Sequence, residues 1–165
     1  MRTPTYAFQL QFRPFAPKSL VGQMNLCDVS PAGDNGLRGG VLLVDDENAL
    51  LEIYTAVLHP HFSVETAANA AEADRWLRTK RFKVIVADHM MPGETGLELL
   101  VRARVAHPHM QRVMVTGYMT PEMLECATEA SLLFAFLIKP ISILELLNVV
   151  QSAAQVHDTS YSATQ

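Results

Sequence analysis

Along the chain, short apolar runs alternate with stretches in which apolar residues recur every three or four positions. Val41-Leu42-Leu43-Val44, Val84-Ile85-Val86-Ala87, Val113-Met114-Val115 and Phe134-Ala135-Phe136-Leu137-Ile138 are continuous, and Phe62, Val64 and Thr66 alternate. Continuous runs suit strands covered on both faces, as in a parallel sheet. The gaps carry helical spacing: Leu50, Ile53, Tyr54, Val57, Leu58; Ala73, Trp76, Leu77; Leu97, Leu100, Val101, Val105; Met123, Leu124, Ala127; and Leu144, Leu147, Gln151. Thr95 with Glu98 and Ser142 with Glu145 have capping-box spacing, Asn69 with Glu72 a related one, and Thr120-Pro121 a helix start.

Five strand–helix units with right-handed crossovers require a doubly wound α/β fold: a five-stranded parallel sheet with helices on both faces. In the flavodoxin-like strand order 2-1-3-4-5, ligands bind beyond the carboxyl ends of the strands. Those ends carry Asp45-Asp46-Glu47, Asp88, Thr116-Gly117 and Lys139-Pro140. Each has a bland explanation as a cap, a turn former or a solvated charge. Together, four separate loops would have to place polar groups at one edge by accident. Clustered carboxylates repel unless a cation sits among them, and a hard divalent ion such as Mg²⁺ suits oxygen ligands. Lys139 and Thr116 then offer contacts for a phosphoryl group on Asp88, a carboxylate being a competent nucleophile.

Val44-Asp45-Asp46-Glu47, Asp88-His89-Met90-Met91-Pro92-Gly93 with Gly96, Thr116-Gly117-Tyr118 and Lys139-Pro140 resemble the receiver domain of two-component response regulators, of stand-alone, CheY-like type. The resemblance covers about residues 40–155. It implies a phosphoryl group passing from a histidine kinase or phosphotransfer protein to Asp88, with output through a downstream effector protein. It also implies Mg²⁺ held by Asp46, by Asp45 through water, by Asp88 and by the Met90 backbone carbonyl, with Thr116 and Lys139 on the phosphoryl oxygens. Phe136 falls at the family's switch aromatic, paired with Thr116. A homodimer through the fourth helix, fifth strand and fifth helix is a further expectation. Such a chain is a signalling phosphoacceptor and no enzyme beyond its own phosphorylation and dephosphorylation. Met90 and Tyr118 stand where the family tunes phosphoryl lifetime; neither orients attacking water, so slow self-dephosphorylation is expected.

Composition narrows the choice. The 165 residues suffice for one ordinary core, with 49% hydrophobic and 18% charged residues. A net charge of -4 argues against nucleic acid as partner, and no apolar run approaches a membrane span. Cys27 and Cys126 form no disulfide or metal pattern, which points to the cytoplasm. Residues 1–39, rich in Pro and Gly towards their end, read as a flexible extension, 40–155 as the receiver domain and 156–165 as a flexible tail, with fraying from Gln151. His59-Pro60-His61 and His107-Pro108-His109 sit at helix-to-strand joins and read as punctuation rather than a zinc site, and His89 as solvent-exposed. Two competing functions remain: a pseudo-receiver serving as a constitutive interaction module, and a hydrolase using Asp88. Against the second, Met90 stands where dehalogenase-like phosphatases carry another aspartate.

Overall fold

The computed structural model describes residues 40–118, 120 and 132–162. Its elements are β1 (Gly40–Val44), α1 (Asn48–Leu58), β2 (Ser63–Ala67), α2 (Ala70–Thr79), β3 (Val84–Asp88), α3 (Gly96–Ala106), β4 (Gln111–Thr116), β5 (Ala135–Ile138) and α4 (Ile143–Ser162). The five strands form one parallel sheet in the order β2-β1-β3-β4-β5. The helical spacing at Met123, Leu124 and Ala127, and the start at Thr120-Pro121, fall on or beside residues outside the described ones.

Strand residues alternate between two cores because successive side chains leave opposite faces. Leu42, Val44, Ile85, Ala87 and Met114 pack under α2 and α3, with Leu99, Leu100 and Ala103. Val41, Leu43, Val84, Val86, Val113, Val115 and Leu137 pack under α1 and α4, with Leu51, Tyr54, Leu146 and Val150. β1 and β3 are central, so their continuous apolar runs are buried on both faces. β2 is an edge strand, and its burial does not keep the alternation of Phe62, Val64 and Thr66: Phe62 is buried and Val64 half-buried, but Thr66 is exposed. The Trp76 indole N–H donates to the Thr66 carbonyl at 2.9 Å, and Lys80, lying over the Trp76 ring at 4.7 Å, pairs with Glu65. A long edge left unpaired is a template for foreign strands, and here the Trp76 indole of α2 takes up one edge carbonyl.

The helix starts follow the sequence closely. Thr95 and Glu98 form a reciprocal capping box, Asn69 accepts from the Glu72 N–H at 2.9 Å, and Ser142 accepts from the Glu145 N–H at 3.1 Å. The carboxyl-terminal expectation needs correction. Rather than fraying from Gln151 or ending in a flexible tail from 156, α4 stays helical through Ser162. Ala153 and Ala154 are buried against the sheet, and Lys83 pairs with Asp158 at 2.7 Å, anchoring the last turns.

At the amino ends of the strands, Arg112 of β4 is only 5% exposed. Its guanidinium donates to the carbonyls of Leu132 (2.6 Å) and Met110. Burial, with Arg104 nearby, pulls its pKa below the usual arginine range. His59 and His107 cap the C-termini of α1 and α3, as their sequence position implies.

Candidate functional site: an acidic pocket at the carboxyl edge

The same alternation builds the site. Asp45 lies two residues beyond Leu43, Asp88 two beyond Val86, and Lys139 two beyond Leu137, so all three leave the sheet on the α1–α4 face. Asp45 and Asp88 are each 4% exposed. The Lys139 ammonium bridges them, 2.7 Å from Asp88 Oδ1 and 3.1 Å from Asp45 Oδ2, with Glu47 Oε1 at 4.0 Å. Burial works against the lysine's charge, but hydrogen bonds to Asp88 and Asp45 and their negative charge outweigh it, so its pKa lies above the ordinary value. Buried carboxylates are tolerated only when paired.

Backbone donors hold the remaining oxygens. Asp88 Oδ2 accepts from the Met90 N–H at 2.7 Å, and Asp45 Oδ1 from the Glu47 N–H at 2.8 Å. Asp46 is exposed at the rim beside them. The loop after β3 returns through Gly93 at φ 86°, a left-handed conformation that glycine adopts without strain.

Thr116 is fully buried and lies two residues beyond Met114, on the α2–α3 face. Its hydroxyl donates to the Tyr118 carbonyl at 2.6 Å and accepts from the Tyr118 N–H at 3.2 Å. It is therefore engaged with its own loop rather than with Asp88. Phe136 is half-buried on the same face, in register with Met114 and packed against that core. Thr116 pairs with Ile138, so the hydroxyl and the aromatic are two steps apart on neighbouring strands.

Three residues have roles at this site that sequence reading leaves blank or misplaces. A Cβ on Gly96 would lie 2.0 Å from the Asp88 carbonyl oxygen, so α3 starts hard against the strand end that carries the acid. The Met90 N–H donates to Asp88, a role distinct from the one expected of its carbonyl; an aspartate followed by a tight turn is the available signal. His89 is half-buried rather than solvent-exposed, with its Nδ1 out of solvent and unpaired among the described residues.

The donor set has the chemistry for a hard divalent cation: two buried carboxylates that demand positive charge, a third carboxylate at the rim and backbone oxygens in the adjoining loop. Among the described residues no three acids or histidines enclose one point, and the Lys139 ammonium supplies the positive charge between Asp45 and Asp88.

Comparison with known proteins is decisive at this point. The response regulator receiver domain matches residues 41–151. This chain belongs to that family. Curated relatives include the hydrogenase transcriptional regulatory protein HoxA of Bradyrhizobium diazoefficiens, 29% identical over 73% of this chain and 25% of its own length. The alginate biosynthesis regulatory protein AlgB of Pseudomonas putida is 34% identical over 67% of this chain and 24% of its own. The chain thus spans about a quarter of the length of these relatives. A CheY-like receiver domain protein from Methanospirillum hungatei superposes with a TM-score of 0.70 at 28% identity, covering 74% of this chain and 98% of that one. Chemotaxis protein CheY4 of Vibrio cholerae gives 0.65 at 28%, covering 70% and 98%. The receiver's strand order is the one read from the sequence. No helix among the described residues is long and apolar enough to cross a membrane.

Proposed function

We propose that this receiver is a phosphorylation-operated switch in a two-component phosphorelay, with Asp88 as phosphoacceptor. The observation that carries the reading is the convergence of the buried Asp45 and Asp88 carboxylates on the Lys139 ammonium. In the reaction a carboxylate oxygen of Asp88 attacks the phosphorus of a phosphohistidine. A P–O bond forms as the P–N bond breaks, and the departing imidazole takes up a proton. Transfer of this kind depends on in-line positioning and charge neutralisation more than on covalent help. Lys139 and the Met90 N–H hold the carboxylate for attack, and Lys139 then balances charge on the phosphoryl oxygens.

Asp45, Asp46, Asp88 and the Met90 carbonyl would hold Mg²⁺, which when bound neutralises charge on the transferring group. Thr116 would leave the Tyr118 carbonyl to donate to a phosphoryl oxygen, vacating space on the face it shares with Phe136. The output is a protein surface near β5: a downstream effector binds there, or a second copy of the receiver. A cytoplasmic setting fits a kinase or phosphotransfer protein as donor. The phosphoryl group is long-lived, because Met90 and Tyr118, both well exposed, offer no carboxamide or acid to orient water.

The test is intact mass after incubation with Mg²⁺ and acetyl phosphate, beside Asp88→Asn. One added phosphoryl mass in the parent alone, persisting well beyond seconds, is expected. The second reading, a constitutive interaction module, is favoured by the exposed position of Asp46 and the lack of a three-acid enclosure among the described residues. No modification and no metal binding would establish it instead.

A further inference from the structure

The loop between β3 and α3 carries Met90, whose N–H donates to Asp88 Oδ2. The Met90 side chain is exposed, so the residue's position depends on its neighbours in the loop. On one side the buried Met91 packs into the core under α2 and α3. On the other, just past Gly93, Glu94 meets Arg102 of α3: Nε donates to Glu94 Oε1 at 2.8 Å and Nη2 to Oε2 at 2.9 Å. The third guanidinium nitrogen, Nη1, donates to both oxygens of Asp74 in α2, at 3.2 and 3.1 Å.

All three nitrogens are thus engaged, and one side chain joins three parts of the fold: the loop, α3 and α2. The Trp76 indole binds α2 in turn to the sheet edge. A two-pronged arginine–carboxylate pair sets orientation as well as distance, which an ammonium cannot reproduce. Arg102 is half-exposed and its two partners are partly so, hence these ion pairs add little to global stability. Their consequence is geometric. Without the guanidinium, Glu94 and Asp74 would repel, and the loop end they hold would move away from α2.

We infer that Arg102 is a positioning residue of the phosphoacceptor site: its fork on Glu94, braced against Asp74, sets the β3–α3 loop so that Met90 presents its N–H to Asp88 and its carbonyl to the cation. Arg102 itself contacts Glu94 and Asp74 rather than the acids of the pocket, so it acts through the loop. The inference deepens the reading of Asp88 as phosphoacceptor and rests on it for its functional consequence.

Arg102→Gln and Glu94→Gln each break the fork, and Arg102→Lys keeps the charge without it. Mg²⁺ affinity by calorimetry should fall about twofold to fivefold in all three, the range of an exposed ion pair. The gap from the parent should narrow at about 1 M salt. Acetyl phosphate labelling at saturating Mg²⁺ should stay near the parent rate, because Asp88 and Lys139 are untouched. Hydrogen exchange at the Met90 amide should quicken by more than any shift in urea midpoint explains, the mark of a loosened loop rather than a weaker fold. Unchanged affinity in the variants of a parent that binds the ion overturns the inference, and so does full recovery in Arg102→Lys. If the parent takes up neither Mg²⁺ nor phosphoryl, the phosphoacceptor reading fails, and amide exchange decides the rest. Faster Met90 exchange in the variants upholds the positioning role, and equal exchange overturns it.

Discussion

Lys139 and Arg112, both drawn back from solvent, stand at opposite ends of the sheet, and their partners differ. Lys139 at the carboxyl edge faces carboxylates, and its pKa is held above the ordinary value against the cost of burial. Arg112 at the amino edge donates to the carbonyls of Met110 and Leu132, and burial pulls its pKa down. Carbonyl dipoles are fixed in number and charge, so the arginine is a permanent clamp between the start of β4 and the chain entering β5. Carboxylates can be esterified, protonated or shared with a metal, so the lysine's surroundings can change. On the proposed function, the difference separates an end of the sheet that holds the fold from an end that changes state.

The largest effect is expected where the acidic end meets a helix. Gly96→Ala would drive its Cβ into the Asp88 carbonyl and displace α3 or the strand end. Overpacking of this severity should cost about 3 kcal/mol or more in urea unfolding. It should also impair phosphorylation, because the displaced backbone carries the acid.

Arg112→Met should leave two buried carbonyls short of a donor, costing about 2 kcal/mol. Arg112→Lys should restore little, since a single ammonium cannot reproduce the planar fork. Acetyl phosphate labelling should survive in both; loss of labelling would mean the two ends are coupled and the contrast is false.

For Lys139 the contrast is sharpened by pH. A raised pKa means that its ion pairs stabilise the fold fully below the unfolded lysine value of about 10.4 and are lost as pH rises through the higher folded value. The parent should therefore lose stability on alkaline titration more steeply than Lys139→Met, while at neutral pH the variant fails to label. Identical alkaline profiles would show that the lysine is a solvated charge.

The smallest effect belongs to the cap above Gly96. Thr95→Ala should cost about 1 kcal/mol by chemical denaturation. The Glu98 carboxyl is held below its usual range by the Thr95 backbone N–H and then by its hydroxyl. The cap's contribution should be present above the unfolded carboxyl pKa and fade as pH falls through the lower folded value. In Thr95→Ala that acid dependence should shrink.

Much of this was legible before any coordinates. The continuous runs at Val41–Val44 and Val84–Ala87 mark strands buried on both faces, and the period of two places Asp45, Asp88 and Lys139 on one face. The same period places Thr116 on the other, which a list of strand-end residues does not convey. Arg112 was illegible because a charge next to an apolar run reads as its boundary, whereas β4 begins at Gln111. The end of α4 was misread because Ser, Thr and Gln dominate its composition, while Ala153, Ala154 and the distant Lys83 hold it. Gly96 appeared as a motif letter; its reason is an approach between backbones that no local pattern encodes.

Trp76 is the only tryptophan in the chain, and its indole is bound to the β2 edge by the Thr66 carbonyl, with Lys80 over its ring. Its emission therefore reports on whether that edge is closed. Fluorescence quenching and spectral shift would follow opening of the β2 side of the sheet. One optical signal thus follows this edge without any added label.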